Sequence, residues 1–89
     1  MLFRSHAGIA ACYETKQEFQ VAAEKFLVAV RLFPGLPGEP DYLLGAVRNY
    51  VNAGMETEVQ QTLDKLNKDH AGTDQQRVAT QLAMKLLIK

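Results

Sequence analysis

Residues Tyr13 to Pro34 read YETKQEFQVAAEKFLVAVRLFP. Within this stretch Phe19, Ala22, Ala23, Phe26, Ala29, Val30 and Phe33 recur at spacings of three and four, which draws one apolar stripe along a helix. Polar residues Glu14 to Gln17 precede the stripe and Pro34 stops it. The stretch therefore holds the end of one helix, a turn and the whole of a second helix. A striped helix must bury its stripe, and the residues ahead of it supply a first partner.

Working outward, Leu2, Phe3, His6, Ile9, Ala10 and Tyr13 share a helical face, which predicts a first helix over residues 2–14. No Ser, Thr, Asp or Asn stands ahead of Leu2 to cap its free amides, so this start is expected to be a helix cut from a longer chain. Thr15 and Glu18 have capping-box spacing, and the second helix is expected over 18–32. PGLPGEP (34–40) breaks the chain, with Pro40 suited to the first turn of the next helix. Leu43, Val47, Tyr50 and Val51 carry a third helix, about 40–53, closed by Gly54 in the left-handed conformation. Val59, Thr62, Leu63 and Leu66 mark a fourth, about 55–69. Thr73 and Gln76 repeat the capping-box spacing ahead of a fifth, about 74–88, striped by Val78, Ala79, Leu82, Ala83, Leu86 and Leu87. No stretch alternates with period two long enough to be a strand, so the chain reads as all-α.

Composition limits the functional classes. The 89 residues suffice for one domain with a thin core. Apolar residues make up 47% and charged residues 22%, which favours a folded chain over a disordered one. Ten basic residues offset ten acidic ones with no block of either sign, which speaks against a nucleic-acid partner or a basic membrane-surface helix. No apolar run approaches the ~20 residues of a membrane span, and the first 20 residues lack a signal-peptide pattern. Cys12, the one cysteine, excludes a disulfide framework or a cysteine-rich metal site. An intracellular setting is slightly favoured, without an organelle.

A shift of 37 residues aligns the chain with itself. Ile9 pairs with Ala46, Tyr13 with Tyr50, Ala22 with Val59, Phe26 with Leu63 and Ala29 with Leu66, while the turn pairs Gln17 with Gly54. One unit is thus helix, short turn, helix. The first unit resembles a tetratricopeptide repeat, whose pattern of large, small, aromatic and closing Pro positions is met by Ile9, Ala10, Tyr13, Phe19, Ala22, Phe26, Ala29 and Pro34. His6 and Gln17 depart from it, the latter where Gly is usual. The second unit keeps Tyr50, Gly54 and Leu63 but has Glu56 for an aromatic and Ala71 for Pro, and the period exceeds the usual ~34 residues. This resemblance implies one domain over 1–89, a right-handed stack of antiparallel helix pairs. Repeat one would cover about 4–35, repeat two about 40–71, and a capping helix about 74–88 would close the stack.

In that family the first helices line a concave groove that holds a partner peptide or helix. By resemblance the lining here is Arg4, Ala7, Gly8 and Ala11, then Leu44, Gly45, Arg48 and Asn52. Arg4 and Arg48 would fix an acidic group on a surface otherwise without bulk. The bland alternative is that Gly8 and Gly45 are small because helices cross there. Ala7 and Ala11 stand where a subfamily that clamps acidic chaperone tails carries Lys and Asn, so the resemblance does not extend to that clamp. The expected function is a protein-interaction module. The alternative is the structural end of a longer helical array, or a self-associating subunit.

Other motifs carry less. Arg31, Pro34 and Pro37 have RxxPxxP spacing, but Arg31 falls in a helix where such a ligand must be extended, so a plain connector is expected. His6 and Cys12 do not share a helical face, and His70 could meet Cys12 only through the fold. Neither a metal site nor an enzyme is expected, and no cofactor.

Overall fold

A computed structural model describes residues 2–87, with side chains from Gly8 onward. Five helices follow one another: α1 (Leu2–Thr15), α2 (Phe19–Leu32), α3 (Glu39–Ala53), α4 (Glu56–Asp69) and α5 (Asp74–Leu87). Their bounds fall within about one residue of those the stripes and turns predict; residue 88 of the expected fifth helix lies outside the described residues. There is no strand among the described residues, and no helix is long and apolar enough to cross a membrane.

α3 is the hub. It packs on α2, α4 and α5, while α1 packs on α2, and α4 also meets α5. A helix enclosed by three others must be apolar or small on more than one stripe, and α3 is. Leu43, Ala46 and Val47 have no exposed surface, and Gly45, Asn49 and Tyr50 are also buried. Around it stand Phe26 and Val30 of α2, Val59, Leu63 and Leu66 of α4, and Ala79 and Ala83 of α5. Complete burial of a leucine such as Leu43 or Leu66 contributes about 2 kcal/mol each. The shortest dimension, 18 Å against 40 and 29 Å, is room for two helices in depth at the usual ~8–10 Å between axes.

The 37-residue offset recurs in the backbone. α2 and α4 begin and end 37 residues apart, and α1 and α3 begin so. Ahead of α2 and α4, Gln17 (φ 64°) and Gly54 (φ 73°) are both left-handed, and the caps Glu18 (φ −90°, ψ 70°) and Met55 (φ −96°, ψ 82°) match. The hydrogen bonds match as well: Glu18 N donates to Tyr13 O as Met55 N does to Tyr50 O, and Phe33 N to Ala29 O as His70 N does to Leu66 O. Gly35 (φ 79°) and Gly72 (φ 82°) complete the correspondence. α5 then starts two residues earlier than a third unit would, because its connector is shorter.

Three details differ from expectation. Thr15 and Glu18 form no capping box: the Thr15 hydroxyl donates to Ala11 O of its own helix, and the Glu18 side chain makes no cap bond. At α5 half of the box forms, with Gln76 N donating to Thr73 Oγ1 while the Gln76 side chain turns to Asn67 and Thr80. Ile9, expected on a packed stripe, is 43% exposed, while the packing of α1 is mainly on α2. Ala10 beside it is fully buried.

Candidate interaction surface

Of the residues expected to line a groove, the side chains of Arg4 and Ala7 lie outside the described ones. Gly8, Ala11 and Asn52 are exposed, and a Cβ at Gly8 would meet nothing within 4 Å. Leu44 is half-buried against the core. Gly45 is in a different place: it is buried, and a Cβ built there would lie 2.9 Å from Cε2 of Phe26. Its smallness serves the crossing of α2 and α3, whereas Gly8 has no such reason.

Arg48 also differs from the expectation that it stands ready for a partner's acidic group. Its Nε donates to Glu14 Oε2 at 2.6 Å and its Nη2 to Glu14 Oε1 at 2.9 Å. Both prongs of the guanidinium are filled, and a bidentate pair of this kind fixes geometry as well as charge. The two side chains keep 42% and 26% exposure, so the pair's net stabilisation is about 0–1 kcal/mol. Its main effect is to tie the end of α1 to α3. What this face offers is a small, open surface of Gly8, Ala11 and Asn52, crossed by that ion pair.

Sequence reasoning missed a second cluster, at the connector. Glu39, in the first turn of α3, is buried; its Oε2 accepts the Gly35 amide at 2.9 Å and its Oε1 bonds His70 Nε2 at 2.9 Å. Burial pushes the Glu39 carboxyl up, but the Gly35 amide, the His70 ring and nearby Lys65 outweigh it and hold it below the ordinary range. An ionised carboxylate only accepts, so His70 Nε2 carries the proton of that bond. The signal was present in PGEP, a carboxylate just inside a helix start, but its partner is 31 residues away. The same cluster explains the proline-rich stretch: residues 33–38 turn instead of extending, in keeping with a connector and not with a polyproline ligand.

Cys12 is exposed on α1, and His70 is engaged at the far end of α4. Among the described residues no three His, Cys, Asp or Glu side chains gather as metal ligands. Compared with protein-family models, with curated proteins and with solved structures, the chain matches none.

Proposed function

We propose that the chain is a protein-interaction module built as a tetratricopeptide-like stack: two helix pairs, α1–α2 and α3–α4, with α5 as the closing helix. It carries no catalytic role and holds a peptide or helix of a partner against α1 and α3, over Gly8, Ala11 and Asn52. The observation that supports this reading is the 37-residue recurrence of helix bounds, left-handed turn residues and capping bonds. A unit repeated at that level is a stacking unit, and stacked helix pairs present one continuous face made by their first helices. The face over Gly8 is open where a crossing would have closed it.

Selection from a displayed peptide library tests the reading. Binders should lose affinity at least about tenfold with Ala11→Arg or Asn52→Trp, a loss on the scale of an interface hot spot. Undiminished binding by both variants would remove the first-helix face from the proposal.

A second reading, a self-associating or array-end subunit, is favoured by Ile9 and Leu32, large apolar residues 43% and 57% exposed. Sedimentation across concentrations separates the two. A monomer throughout excludes self-association, and a dimer that dissociates with Ile9→Lys supports it.

A further inference from the structure

Along α2 lies a half-open cavity of about 480 Å³, a volume within the range of small-molecule sites. Val21 and Val28 form its apolar wall, Glu24, Lys25 and Arg31 its rim, and Tyr50 reaches it from α3. Tyr50 is only 5% exposed, yet no described residue hydrogen-bonds its hydroxyl. Among the described residues the unpartnered side-chain atom sealed from solvent is Asn49 Oδ1. The Tyr50 hydroxyl, unpartnered among the described residues, is not among the sealed atoms, and Tyr50 lines the cavity.

The charges around it are of both signs. Burial, Glu24 and Glu58 push the Tyr50 phenol up while Arg31 opposes them, so the phenol is neutral and can both donate and accept. Glu24, Lys25 and Arg31 form none of the ion pairs among the described residues. Glu24 and Arg31 stand two turns apart on α2, about 10 Å along its axis. A purely cationic ligand would meet Lys25 and Arg31, and a purely anionic one Glu24.

We propose that this cavity binds a small zwitterion with an apolar side chain, of the chemistry of a free hydrophobic amino acid. Its ammonium lies toward Glu24, its carboxylate toward Arg31 and Lys25, its side chain against Val21 and Val28, and one polar group meets the Tyr50 hydroxyl. The site is separate from the α1 and α3 face and does not rest on the tetratricopeptide reading.

Titration of L-phenylalanine into the isotopically labelled chain, read by amide chemical shifts, tests it. Saturable shifts are expected at Val21, Val28 and Tyr50. Phenethylamine and 3-phenylpropanoate, each lacking one charge, should bind at least about tenfold more weakly, the scale of a lost charged hydrogen bond. Tyr50→Phe keeps the packed ring and should weaken binding about fivefold. Arg31→Ala, at an exposed position that leaves folding intact, should do the same. No saturable shift at the cavity, equal binding by either singly charged analogue, or unchanged affinity in either variant would overturn the proposal.

Discussion

Gln17 holds a left-handed backbone, φ 64°, at the position where the second unit uses Gly54. A side chain there costs roughly 1–2 kcal/mol that glycine avoids, offset in part by glycine's freedom in the unfolded chain. Gln17→Gly should therefore raise stability by about 0.5–1 kcal/mol and Gly54→Ala lower it by about 1 kcal/mol, read from urea midpoints. Shifts of the same sign would contradict the turn geometry. Glu39 makes a second test at this scale. Its folded-state pKa is depressed, so its contribution is complete above the unfolded value, about 4.3, and is lost as pH falls through the folded one. Glu39→Gln should cost about 1–2 kcal/mol at pH 7, and the gap to wild type should close as the pH is lowered from 5 toward 3. A gap that stayed constant would mean that the carboxylate charge is not what binds Gly35 and His70.

Elements were the most legible level. Helix count and bounds follow from local signals: three-and-four spacing, the Pro and Gly of PGLPGEP, and Gly54. Val59, Thr62, Leu63 and Leu66 share one predicted stripe and all four are buried. α3 is less legible, because periodicity finds one face and α3 is enclosed by three helices. Glu39 and Asn49 are buried outside the stripe for that reason, while Gly45 meets the alternative of a helix crossing. Of the residues expected to line a groove, Gly8, Ala11 and Asn52 are exposed, whereas Gly45 meets Phe26 and Arg48 meets Glu14. Both contacts join residues far apart in sequence, which no spacing rule encodes. The two glycines separate by experiment. Gly8→Ala, in open space, should stabilise α1 by about 0.5–1 kcal/mol through helix propensity. Gly45→Ala should lose about 1 kcal/mol net, since crowding of the Phe26 ring outweighs that gain. Equal stabilisation by both would mean that α2 and α3 cross less closely than the structure has them.

At the scale of the molecule, the local repeat and the global packing differ. The two units share their turns and caps, yet α5 sits on both α3 and α4 while α3 sits mainly on α2 among the preceding helices. The two connectors differ as well: six residues join α2 to α3, with the Gly35 amide bonded to Glu39, against four between α4 and α5. The central claim is that the face of α1 and α3 is where a partner lies. Its most direct measurement is the map of amide shifts when a library-selected peptide is titrated into the labelled chain. Changes should concentrate at Gly8, Ala11, Arg48 and Asn52, with the exposed side of α4 around Gln60 and Asp64 unmoved. Changes centred on α4 or α5, with Gly8, Ala11 and Asn52 silent, would contradict it.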